Sequence, residues 1–207
     1  MAIFHMATNS PTKAEVIANW IPTQPWGPST DAMVTLVGSF HFDDPEGRVG
    51  MQTHLVDAGG TLLQVPLTYR DTPLDSAEDA LIGQMEHSVL GTRWVYDGLG
   101  DARFVTVLAG VTMTGQGQAL GMARYDDRWY VAPSDVKLEG GGWSHEAAPI
   151  DGFVADPDHT NDVVFRSDHF ALTVFRQPVP GSRPPIGLTA TWDEQPDPVV
   201  LAEIREL

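Results

Sequence analysis

The chain has 207 residues, a net charge of −16 and no cysteine, which excludes disulfide scaffolds and thiolate metal sites and opposes partners that present phosphate backbones or anionic lipid. Hydrophobic residues at 42%, with 20 glycines and 16 prolines, describe a globular chain of short elements joined by tight turns, long enough to bury a substantial core. The acidity is read either as surface solvation or as a match to a basic partner, and composition does not separate these.

The first ten residues, MAIFHMATNS, lack the basic and apolar regions of a secretory signal. No run approaches the roughly 18 apolar residues of a membrane span. A cytoplasmic protein without nucleic-acid or membrane partners is expected.

Residues 12–20 predict an amphipathic helix after a cap-like Ser10-Pro11-Thr12, with Val16, Ile17 and Trp20 on one face, and Pro22 ends it. Residues 33–42 and 49–56 read as strands of an antiparallel hairpin around the turn DDPEG at 43–47. Gly59-Gly60 makes a second turn into a strand at 61–70, and residues 81–88 and 92–96 supply two more, giving one curved sheet on the first helix. Residues 101–115 carry an N-capping Asp101, apolar residues at helical spacing and a terminal Gly115 and are read as a helix, although Val105, Thr106, Val107 and Val111 are β-branched and argue for strand.

Beyond residue 116, candidate strands run over 119–125, 128–132 and 134–138, and Gly140-Gly141-Gly142 is the best linker candidate. Four further strands, at 163–165, 170–175, 186–192 and 199–204, complete a second small sheet.

Several constellations invite a chemical reading and fail it. Glu86-His87-Ser88 has the residue types of a triad, but on a strand Glu86 and Ser88 face away from His87, and no G-x-S-x-G elbow is present. Asp156, Asp158 and Asp162 suggest a calcium loop, yet Asn161 and Ser167 stand where that loop needs its central Gly and final Glu. His41, His54, His145, His159 and His169 show neither i, i+4 pairing nor an H-E-x-x-H motif. No metal, no cofactor and no catalytic residue are expected.

Four short motifs occur in order: WIPTQPW at 20–26, QVPLTYR at 64–70, LIG at 81–83 and YDGLGD at 96–101. They resemble the W-L-P-x-Q-R-W opening, the Y-Q-V-x-V-R-W strand, the T-I-G strand and the Y-D-P turn of the N-terminal cap of actinobacterial maltokinases and glucosamine kinases, with Pro25 where that family prefers arginine. The stretch NDVVFRSDHFALTVFRQPVPG at 161–181 resembles the nucleotide-binding hairpin of the same kinases. The resemblance runs over about residues 12 to 190 and is weakest between 116 and 150.

On that register the kinase lysine falls on Thr173 and its helix glutamate near Gly187, so the ion pair that grips phosphate is lost on both sides. The turn at 156–162 carries three carboxylates, which repel an anion. Only residues 182–207 follow Gly181, too few for the larger lobe.

The fold class implied is α+β: a curved antiparallel sheet packed on helices, a cystatin-like cap at residues 1–115, followed by a small kinase-N-lobe-like sheet at 116–207. Two functional readings remain. One is a non-catalytic interaction or regulatory module, docking on a sugar kinase, on a glucan-metabolism enzyme or on a second copy of itself. The other is a binding protein for a sugar or sugar phosphate, with Trp20, Trp26 and Trp94 lining a groove and Arg93, Tyr96 and Asp97 as polar partners; the same tryptophans serve equally as core beneath the sheet. An active phosphotransferase is disfavoured.

Overall fold

The computed structural model describes residues 2–4, 6–28, 32–75, 77–142, 149–156 and 162–207. Two short strands, β1 (Ala2–Phe4) and β2 (Asn9–Ser10), precede helix α1 (Lys13–Trp20). The helix begins where Thr12 and Glu15 close a reciprocal box: Thr12 N–H donates to Glu15 Oε2 at 2.7 Å and Glu15 N–H to Thr12 Oγ1 at 3.2 Å. A short 3₁₀ turn, Ile21–Thr23, follows at Pro22.

Strands β3 (Val34–Phe42), β4 (Gly50–Ala58), β5 (Thr61–Arg70), β6 (Leu81–His87) and β7 (Gly91–Asp97) join β2 in a six-stranded sheet of order β2-β6-β7-β5-β4-β3. Every pairing is antiparallel. Asp44 locks the β3–β4 turn by accepting from the N–H groups of Glu46, Arg48 and Val49. Burial works to raise its pKa, but the Arg103 guanidinium and those three donors outweigh it and hold the carboxyl down to about 2.

Each face of this sheet has its own cover. On one, Val16, Ile17 and Ile21 pack with Val56, Leu63, Val65, Leu67 and Val95. On the other, Phe40, Phe42, Met51 and Leu55 meet helix α2 (Ala102–Thr114). The helix expected over residues 101–115 forms: Asp101 caps its start through Arg103 N–H and Gly115, at φ 68°, ends it in the left-handed region. Asp101 is also held by a two-point ion pair with Arg70, and Arg103 reaches Asp44, so the start of α2 is fixed to the curled sheet.

The other side of α2 packs on a second six-stranded sheet. Its strands are β10 (Lys137–Gly140), β11 (Val154–Ala155), β12 (Asp162–Arg166), β13 (Phe170–Phe175), β14 (Gly187–Trp192) and β15 (Gln195–Glu206), in the order β10-β14-β15-β13-β12-β11, all antiparallel. Leu108, Ala109 and Met113 of α2 share one apolar cluster with Leu138, Leu172, Leu188 and Leu201. The hydrophobic core is therefore continuous across residues 115 and 116.

Strands β8 (Gly121–Tyr125) and β9 (Arg128–Val131) were expected in the second sheet. They instead form a separate three-stranded sheet with β1, which pairs parallel to β8. Asp158, Asn161, His145 and His159 lie outside the described residues. Among the described residues no helix is long and apolar enough to cross a membrane.

Gly140-Gly141-Gly142 is not a linker. A β-carbon on Gly140 would lie 2.6 Å from the Val111 carbonyl oxygen, and one on Gly142 would lie 2.5 Å from that of Met113. The glycines are required because the chain runs against the last turn of α2 at backbone contact. Gly142→Ala is expected to lower the unfolding free energy by about 1–3 kcal/mol. Gly83→Ala, at a position with open space around it, is expected to be neutral or mildly stabilising; urea denaturation of both variants checks the contrast.

Candidate functional site at the junction of the two sheets

Strand β7 pairs with β5 only over Leu67 to Arg70, which leaves the earlier half of β5 open on that side. The chain leaving β13 fills the gap. Gln64 N–H donates to the Arg176 carbonyl at 2.9 Å, and its buried side-chain amide donates to the carbonyls of Phe175 and Leu201 at 3.0 and 3.1 Å. One glutamine thus ties the curled sheet to both β13 and β15.

This seam delivers Arg176 into the space between α1 and the end of β7. Its side chain is 2% exposed and forms an ion pair with Asp97. The guanidinium carbon sits 4.7 Å from the Trp26 ring centroid and 5.9 Å from that of Trp20, while the two indoles meet edge to face at 5.4 Å. The Gln177 amide closes the arrangement by donating to the Trp26 carbonyl at 3.0 Å. A buried guanidinium is tolerated here because a carboxylate neutralises it and two π-faces replace part of its hydration. Its Nε and Nη1 nonetheless have no hydrogen-bond partner among the described residues.

Of the residues read as a sugar groove, Trp20, Trp26 and Asp97 do come together, but around Arg176. Arg93 lies on the same face of β7 as Asp97, four residues back, and its guanidinium donates to the Thr92 carbonyl. Trp94 and Tyr96 alternate to the opposite face; the Tyr96 hydroxyl accepts from Leu74 N–H at 2.8 Å. The six residues do not line one surface.

A second polar group lies on the α1 side of the curled sheet. Lys13 Nζ donates to Gln52 Oε1 at 2.6 Å, the Gln52 amide donates to Ser39 Oγ at 3.0 Å, and the ammonium stands 5.1 Å from the Tyr69 ring centroid. Burial lowers the Lys13 pKa and raises that of Tyr69. Burial, followed by the Lys13 charge, pushes His41 down to about 4 and His54 to about 3. Ser39 and His41 also edge a cleft of about 180 Å³ closed by Gln118, Ser134 and Asp135. Among the described residues no three His, Asp or Glu side chains are grouped to hold a metal.

Thr173 lies on β13 between Val164 of β12 and Glu203 of β15. The connection from β13 to β14 contains no helix, and Gly187 opens β14 with the Pro184 ring 2.7 Å from where its β-carbon would be.

A curled sheet running from the two tryptophans of the α1 end to the aspartate that starts α2 is what the comparison with known families picks out. Residues 20–101 match the maltokinase N-terminal cap domain. No curated protein matches the chain. The cap match begins at Trp20, takes in β3 to β7, and stops at Asp101, so it contains Trp26, Gln64 and Asp97 but not Arg176.

The sequence signals for this site were uneven. WIPTQPW pointed to Trp20 and Trp26, whereas Arg176 sits in a run, VFRQP, whose exposed-looking arginine gave no sign of burial. Gln52, His54 and Gln64 are buried polar residues within strands, where only the partner strand reveals their role.

Two outcomes are expected. Asp97→Asn leaves the guanidinium buried without its counter-charge and should cost about 3–5 kcal/mol, whereas Asp97→Leu combined with Arg176→Met should cost less than that single change; urea denaturation of the three proteins decides it. In the unfolded chain His41 and His54 take up protons near pH 6.5, while in the folded protein they resist down to about pH 4 and 3. Protons therefore favour the unfolded chain in this window, and stability should fall between pH 7 and pH 5 by about 2 kcal/mol per imidazole, with His54→Gln removing about half of the slope.

Proposed function

We propose that the chain is a non-catalytic interaction module related to the N-terminal part of sugar kinases, which works by docking on a kinase of the maltokinase class. Residues 1–115 correspond on this reading to a cystatin-like cap and residues 116–207 to a reduced N-lobe, with α2 as the element they share. A cytoplasmic setting is its simplest context.

The observation that supports the reading is the state of the phosphate grip. Phosphoryl transfer needs a cation over the nucleotide and an acid on a neighbouring helix to hold it. Thr173 supplies only a hydroxyl, and the β13–β14 connection has no helix on which such an acid could stand. The arginine nearest in sequence, Arg176, is turned into the cap and neutralised by Asp97.

A second reading, capture of a sugar phosphate beside Trp20, is favoured by the two unsatisfied guanidinium nitrogens of Arg176. Thermal shift against maltose, glucosamine and their phosphates separates the two, because a ligand that binds only the folded state raises the melting temperature.

For the docking reading, titration calorimetry with magnesium-ATP at millimolar concentration should give no binding heat. The purified chain should co-sediment with a purified maltokinase and alter its rate. ATP turnover by the chain alone, or a kinase indifferent to it, would overturn the proposal.

A further inference from the structure

Among the described side chains, the sheet formed by β1, β8 and β9 has no core of its own: no residue of these strands enters either hydrophobic cluster of the protein, and all four residues of β9 are exposed. Yet the surface is apolar: Tyr125 is 62% exposed, Trp129 49%, Tyr130 48% and Val131 65%. Three strands need a hydrophobic face or a packed helix to stand independently, and adding strands at an edge extends such a sheet. Strand β9 is also the terminal strand of the sheet, so one side of its backbone faces outward.

We propose that this edge is the interface between two copies of the chain, with β9 of one pairing antiparallel to β9 of the other. The register follows from the hydrogen-bond alternation. Ala132 N–H bonds Gly121 O, and Tyr130 and Arg128 share its inward phase opposite Ala123 and Tyr125. Trp129 and Val131 therefore turn their backbone groups outward. A two-fold axis beside Tyr130 uses all of those groups at once. It sets Trp129 of each copy against Val131 of the other, an aromatic on a β-branched residue, and it makes a six-stranded sheet.

Charge and area both fit a second copy. The protein carries −16, which opposes self-contact over most of its surface, but this sheet and its turn hold Arg124 and Arg128 against Asp126 and Asp127, a local balance of zero. Arg124 is engaged with Asp127 at 2.9 Å and lies 6.0 Å from the Trp129 centroid. The apolar side chains of β9 itself, Trp129, Tyr130 and Val131, offer on the order of 300 Å² per copy, over a third of the roughly 800 Å² per partner of a stable interface.

Sedimentation velocity on the full chain at about 100 µM tests this. The wild-type protein is expected near twice its 22.5 kDa mass, and Trp129→Lys, an exposed substitution that leaves both cores intact, near once that mass with an unchanged circular dichroism spectrum. Because the chain has no cysteine, Tyr130→Cys should cross-link to its own copy under mild oxidation, since the two Cα atoms would lie about 4.5 Å apart. A wild-type monomer, a dimer that survives Trp129→Lys, or no Tyr130→Cys cross-link would overturn it. A monomer whose β9 variants lose binding only to a maltokinase would assign the edge to that partner instead.

Discussion

A guanidinium taken out of water must be answered by charge or by hydrogen bonds, and the way Arg176 is answered dictates how the halves of this protein meet. Asp97 comes from the end of β7 and Trp20 and Trp26 from the α1 region, while Arg176 itself continues β13. Moving one sheet relative to the other would leave the cation unpaired at a cost of several kcal/mol. Gln64 reinforces the same geometry through backbone carbonyls on two strands, and α2 fills the space that this seam defines.

That arrangement bears on chemistry. On the proposed kinase-lobe reading, a basic side chain close in sequence to Thr173 is the natural candidate to stand in for the phosphate-binding lysine, and Arg176 is three residues away. Along a strand, three residues also reverse the face. Burial against the two indoles turns its charge toward structure, so the cap-like sheet is tied to a second sheet whose arginine holds it in place.

Much of the fold was legible because the deciding interactions are local. The box of Thr12 and Glu15, the Asp44 turn, the Gly59-Gly60 turn and the Asp101 and Gly115 caps each involve residues within a few positions, and each boundary fell where these residues place it. What was not legible depends on partners distant in sequence. Gly140 to Gly142 have the composition of a linker, and only the approach of α2 to Gly140 and Gly142, and of the chain at 183–187 to Gly141, shows why they are glycines. Strands β8 and β9 carry strand propensity but nothing to say that residues 2–4 would pair with them. The candidate site divides in the same way: the tryptophans stood in a recognisable motif, while Arg176 acquires its role from Asp97, 79 positions earlier.

If the seam at Arg176 and Gln64 joins the cap and the second sheet as described, neither can unfold while the other persists. Differential scanning calorimetry of the full chain measures this directly. One transition is expected, with calorimetric and van't Hoff enthalpies that agree. Two transitions, or a van't Hoff enthalpy well below the calorimetric value, would show that the halves melt separately and that the seam does not join them.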